Sequence, residues 1–115
     1  MKERIWPSEW LRGVISLAVL SVVAEGETYG YVIAQRLATG GLGTIRGGTL
    51  YPILNRLEDE GSLASSWREG AGGPGRKFYL ITPSGTTRLD QLRSDWRRFV
   101  SNATSVIDPG EHEDV

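Results

Sequence analysis

Apolar residues recur at helical spacing in four stretches of this chain and alternate in two others. Leu50, Ile53, Leu54 and Leu57 step by three and four residues, which is one face of a helix. Thr49, Tyr51, Asn55 and Arg56 fall on the other face, and Gly61 follows as a helix stop. The pattern predicts a helix with its back in a core and a hydrogen-bonding front in solvent. Pro52 leaves its start open, because proline fits best at the first helical position, which would begin the helix near Tyr51. Upstream, Trp10 to Glu25 is apolar on most sides, so this helix should be covered by more than one neighbour. Tyr29, Val32, Ile33 and Leu37 form the stripe of a helix between these two, with Thr28 as its expected cap and Gly40-Gly41 as its stop. Gly30 inside that helix costs ~1 kcal/mol relative to alanine, which a close approach to another backbone would explain. Leu42 to Arg46 is a short connector that could pair as a small strand.

Leu63 to Glu69 and Arg76 to Thr82 read as strands. Leu63 and Trp67 alternate with serines; Phe78 and Leu80 alternate with Lys77, Tyr79 and Ile81. Gly70-Ala71-Gly72-Gly73-Pro74-Gly75 lies between them, so the pair should be a hairpin with a long, mobile tip. Thr82 and Pro83 open the last helix as cap and first-position proline. Its apolar residues Leu89, Leu92, Trp96, Phe99, Ala103 and Val106 form an a/d seam. A chain of 115 residues has little core left to cover such a seam, so the same helix of a second subunit is the expected cover. The predicted fold is mainly α (α+β): a winged helix-turn-helix with an additional C-terminal dimerisation helix. The predicted division is a flexible segment at 1–9, the winged helix-turn-helix at 10–82, the dimerisation helix at 83–107 and a disordered acidic tail at 108–115.

Charge changes this picture only slightly. The formal net charge is -1, which does not advertise a nucleic-acid binder. The last eight residues, however, hold Asp108, Glu111, Glu113 and Asp114, so 10 of the 14 acids face the 13 bases in the rest of the chain, about +3. The apolar run Val14 to Ala24 behind Lys2, Arg4 and Arg12 imitates a signal peptide. Glu3, Pro7 and Glu9 spoil its leader, no Ala-x-Ala site follows, and it falls short of the ~18 residues of a membrane span, so a buried helix is expected. With no cysteine in the chain, a cytoplasmic protein away from membranes is the expectation.

Enzymatic chemistry is poorly supplied. The one histidine, His112, sits in the acidic tail, and no metal-ligand spacing occurs, so neither catalysis nor a cofactor is expected. Gly70, Gly72 and Gly75 match a dinucleotide fingerprint in letters only, because Pro74 interrupts it and a strand pattern follows where a helix is needed. Glu58-Asp59-Glu60 reads as a solvated face, with Glu58 a structural partner for Arg56. Material for binding DNA is better. Asn55 can pair bidentately with adenine and Arg56 with guanine. Thr49 and Tyr51 suit phosphates at a helix N-terminus, where free N–H groups attract anions. Arg76 and Lys77 suit a wing that meets the sugar-phosphate backbone, and Arg46 and Tyr31 are further candidate contacts. Tyr29 reads as core. Gly30 could equally admit DNA backbone as another helix.

Gly48-Thr49-Leu50-Tyr51-Pro52, then Arg56-Leu57-Glu58 and Gly61, resemble the third helix of PadR-type transcriptional regulators. Tyr29-Gly30-Tyr31 and Gly73-Pro74-Gly75-Arg76-Lys77-Phe78-Tyr79-Leu80-Ile81-Thr82 follow the same family in order and spacing, and with the Trp96 helix the resemblance spans residues 10 to 100. It implies a third helix that starts nearer Gly47 or Gly48, with Pro52 inside. It implies a homodimer that binds a palindromic operator and represses, and a structural role for Arg56. In some relatives a small aromatic effector enters between the subunits beside a tryptophan; Trp96 takes that position here, with Trp10, Leu11 and Val14 as the other walls. The single terminal helix places the chain with the short branch of the family. A reading of another class remains beside it, a winged-helix interaction module or small-molecule carrier without specific DNA binding, favoured by the weak charge.

Overall fold

The computed structural model of the protein describes residues 5–69, 73 and 75–110. The first helix, α1, spans Ser8–Val23, followed by a short strand β1 at Thr28–Tyr29 and helix α2 at Gly30–Leu37. A wide turn at Ala38–Leu42 leads to helix α3 at Gly47–Asp59. Strands β2 (Leu63–Arg68) and β3 (Arg76–Ile81) form the hairpin, and α4 runs from Pro83 to Ile107. The winged helix-turn-helix order is present, with the long helix appended.

The helical spacing holds where the core needs it. Val19, Leu20, Ile33, Leu50, Leu54 and Leu89 are almost fully enclosed and bring α1, α2, α3 and the start of α4 to one core. Val32, expected in the α2 stripe, is instead exposed. Helix α1 begins earlier than the sequence pattern indicates, because Pro7 takes the cap position and its carbonyl accepts from Trp10 at 3.0 Å and Leu11 at 3.2 Å. Trp6, just before it, is tied down as well: its indole N–H donates to the Gly41 carbonyl at 2.8 Å.

Thr28 does not cap α2. It pairs as a strand residue with Tyr79, and Tyr29 pairs with Phe78, so the extended Tyr29 stands at the cap position without a side-chain bond. The backbone ladder wins over the cap, at the expense of the Thr28 hydroxyl, which is buried without a partner. This strand also replaces the one expected at Leu42 to Arg46, giving an antiparallel sheet of order β1-β3-β2. Helix α3 starts at Gly47 with Pro52 inside it, as the resemblance implies. Its end is a Schellman turn: Ser62 N–H bonds the Leu57 carbonyl and Gly61 N–H the Glu58 carbonyl, each at 2.9 Å, with Gly61 at φ 82.

The hairpin's burial shows which of its faces turns inward. Register places Leu63, Ser65 and Trp67 opposite Ile81, Tyr79 and Lys77, and this is the face turned to the helices. Tyr79 is therefore 1% exposed while Leu80 is 48% exposed. Both sets of β3 residues are apolar enough to be buried, so alternation alone could not choose between them. The glycine-rich tip at Gly70, Ala71, Gly72 and Pro74, and the tail residues 111–115 with His112, lie outside the described residues.

Helix α4 starts as expected, with Thr82 Oγ1 accepting from Gly85 N–H at 2.9 Å and Pro83 in the first turn. The same hydroxyl donates to the Gly61 carbonyl at 2.6 Å, and Arg88 pairs with Glu60 at 2.9 Å. These contacts fasten α4 to the end of α3. Arg93 reaches Ser21 of α1 at 2.6 Å. Leu89 is buried and Leu92 packs at the edge of the core, but Phe99 is 65% and Val106 82% exposed. Among the described residues, no helix is long and apolar enough to cross a membrane.

Candidate nucleic-acid interface

The exposed front of α3 has two flanks, because residues on a helix fan out by about 100° each. Tyr51 and Asn55 turn toward the hairpin. With Tyr29, Gly30, Trp67, Gly75, Arg76, Lys77 and Tyr79 they line a groove of about 380 Å³. Four sequence-predicted contacts, Tyr51, Asn55, Arg76 and Lys77, are thereby brought into one concavity.

Tyr51, Arg76 and Lys77 are each held in place by a neighbour. The Tyr51 ring lies over Gly30, and a Cβ at Gly30 would fall on its hydroxyl. Gly30 is thus explained by a side chain of α3, and not by a close helix backbone. The Arg76 guanidinium stacks 4.7 Å over the Tyr29 ring and donates to the Tyr29 hydroxyl at 3.1 Å. Lys77 Nζ sits 3.4 Å from Glu58 Oε1 and 5.7 Å from the Tyr79 ring centre. Glu58 also accepts from Ser65 Oγ at 2.5 Å. Burial pushes the Tyr79 phenol above its ordinary pKa, helped by the negative charge of Glu58 and by Tyr51.

Glu58 is therefore not the partner of Arg56. Residues two apart on a helix point about 200° away from each other. Arg56 instead bonds Ser16 of α1 and lies 3.8 Å from Glu60 one turn on, a structural placement.

Arg46 and Thr49 occupy the other flank. They line a separate groove of about 480 Å³ with Ser8, Leu11, Arg12, Ile15, Thr44 and Ile45. Tyr31 stands on α2, 65% exposed, with its hydroxyl accepting from Gln35 at 3.3 Å. The expected contact set is thus split among three places. Trp67 was missed: it is 72% exposed at the tip end of β2 and forms part of the first groove. Its place beside the glycine run, where core cover ends, was the available signal.

The expected effector walls sit on α1 (Trp10, Leu11, Val14) and α4 (Trp96). Trp96 lies against Phe99 with centroids 6.3 Å apart, and Trp10 stacks on Trp6 at 6.5 Å. Leu11 turns to the groove beside α3, and Val14 is half-buried on α1.

The chain is similar to known transcriptional regulators in sequence and in fold. The profile of the family described as "Transcriptional regulator PadR-like family" matches residues 19–91. A transcriptional regulator of Mycobacterium tuberculosis is 36% identical over 85 residues, 74% of this chain and 78% of that protein. A solved PadR family transcriptional regulator from Eggerthella lenta superposes with a TM-score of 0.79 at 33% identity, covering 89% of this chain and 88% of that one. A transcriptional regulator from Clostridium thermocellum gives 0.77 at 29% identity over 87% and 99%.

Proposed function

This chain belongs to the PadR-like family of transcriptional regulators, and on that premise we propose that it is a homodimeric repressor of a palindromic DNA operator, released by a small aromatic effector. The observation that carries the reading is the α3–wing groove, where Tyr51, Asn55, Arg76 and Lys77 converge. In this reading Asn55 pairs with adenine in the major groove. Tyr51, Lys77 and Arg76 hold the adjoining sugar-phosphate strand, and Trp67 packs its indole against the same strand. Arg46 and Thr49, at the start of α3, take phosphates on the far side of the major groove. Tyr31 adds a contact from α2.

Two copies of α3 about one DNA turn apart would read the two halves of the operator. Residues 10–82 act as the DNA-binding unit and 83–107 as the dimerisation helix. The seam from Leu89 through Leu92, Trp96, Phe99 and Ala103 to Val106 supports this, since its outer part is left uncovered by the chain itself. Pairing of the seams would bring Trp96 of each subunit toward the axis, where a flat apolar ligand enters, with Trp10 and Val14 alongside. The chain works in the cytoplasm with its DNA.

Selection of bound duplexes from a random pool, followed by fluorescence anisotropy on the winner, tests the proposal. A two-fold symmetric sequence is expected, and Asn55→Ala should lose about ten-fold in discrimination against a changed adenine. A pool that enriches nothing removes the reading. That outcome favours the interaction-module alternative, whose support is the net charge of -1.

A further inference from the structure

The cations of the wing are already spoken for. Lys77 is paired with Glu58, and Arg68 with Glu27 while its guanidinium lies 4.5 Å over the Phe78 ring. Among the described wing cations only Arg76 lacks a carboxylate, resting on Tyr29 instead. Glu58 lies one turn beyond Asn55 on α3, beside Lys77, which lines the groove. Its carboxylate cannot simply swing aside with the lysine, because Ser65 of β2 holds it at 2.5 Å.

We propose that Glu58 is an internal competitor with DNA phosphate for Lys77, and that it sets the sequence-independent part of the affinity. The inference rests on the DNA-binding reading above. A phosphate entering the groove must take Lys77 from a fixed carboxylate, or lie beside a pair that is already neutral. Either way the strand gains less from Lys77 than from an unpaired lysine, and fewer counterions are released. Glu27 plays the same part for Arg68 on the opposite face of the sheet. The Lys77–Glu58 pair is partly buried, its side chains 29% and 32% exposed. The effect of both pairs falls on binding, where they restrain attachment to arbitrary DNA.

Glu58→Gln tests the proposal because glutamine still accepts from Ser65. Anisotropy is read against a random-sequence duplex and against the selected operator over a range of salt. Affinity for both should rise about two- to five-fold at low salt, and the salt slope should steepen by roughly one. The ratio of operator to random affinity should stay fixed. Lys77→Met should weaken binding more in the Glu58→Gln background than in the wild type. Glu27→Gln should act separately in the same direction. A merely structural role for Glu58 cannot produce tighter binding. Unchanged or weaker binding by Glu58→Gln overturns the inference while the DNA reading stands, as does an equal gain with Lys77→Met present. If wild type and variants alike bind no duplex, the DNA reading fails first and this inference goes with it.

Discussion

In the α3–wing groove Tyr51, Arg76 and Lys77 each rest on a neighbour from another element, whereas the outer half of α4 carries large apolar side chains that stay exposed. Tyr51 lies over Gly30, Arg76 on Tyr29, and Lys77 beside Glu58. Trp96 lies against Phe99, which is 65% exposed, and Val106 and Ile107 project from the last turns, 82% and 80% exposed. One surface is pre-organised by a single chain; the other has apolar area but no cover. Pre-organisation matters for a polar site because ordering side chains on contact consumes binding energy. An apolar seam needs only a complementary surface, since the hydrophobic effect is non-directional.

The strongest way to break this contrast is Phe99→Glu. A buried, unpaired carboxylate at the proposed interface should weaken self-association by a hundred-fold or more, roughly the loss of one buried ring and the burial of a charge. Sedimentation equilibrium measures it. A wild-type chain that already sediments as a single copy at micromolar concentration would remove the comparison altogether.

Leu89→Ala probes the inner half of the same helix. A cavity in the core should cost about 2–5 kcal/mol in denaturant melts whatever the protein concentration. Val106→Ala should instead lower the melting point in a concentration-dependent way, because its effect acts through association. Equal behaviour of the two variants would show that α4 is not divided as drawn.

Gly30→Ala sharpens the groove side. The added methyl displaces the far end of the Tyr51 ring, and alanine suits a helix better than glycine, so stability should hold or rise by a few tenths of a kcal/mol. DNA affinity should nonetheless drop about ten-fold, the worth of one hydrogen bond to a charged group. Retained affinity in anisotropy would mean that the position of Tyr51 is unimportant.

The smallest expected effect is alkaline. The Tyr79 phenol is raised above 10.0 by burial, with Glu58 and Tyr51 adding to it, so the folded state holds its proton more tightly than the unfolded one. This contribution is complete below pH 10, the ordinary tyrosine value, and disappears as pH climbs through the raised folded value. Tyr79→Phe should flatten that alkaline fall in stability, as followed by circular dichroism.

Much of this was legible beforehand. The Leu50-Ile53-Leu54-Leu57 stripe, the Gly61 stop and the Thr82-Pro83 start lie in local spacing and capping chemistry, which act within a few residues. The span of α4 was legible for the same reason. The strand at Thr28–Tyr29 was not, because its partner β3 lies some fifty residues away and a threonine before a helix reads as a cap. Which side of β3 turns inward was equally hidden, since Phe78 and Leu80 compete on even terms with Tyr79 and Ile81. The candidate contacts were named as one set, yet α3 sends Tyr51 and Asn55 to one flank and Thr49 to the other.

The amino-acid pattern by itself determined the four helices and the hairpin and named the candidate contact residues, because period and capping are properties of neighbouring residues. Only the tertiary structure decided which of those residues share a groove and which acid sits beneath which cation. Glu58 joined Lys77 and not Arg56 because the sheet packs against α3, a contact between segments that no local spacing encodes.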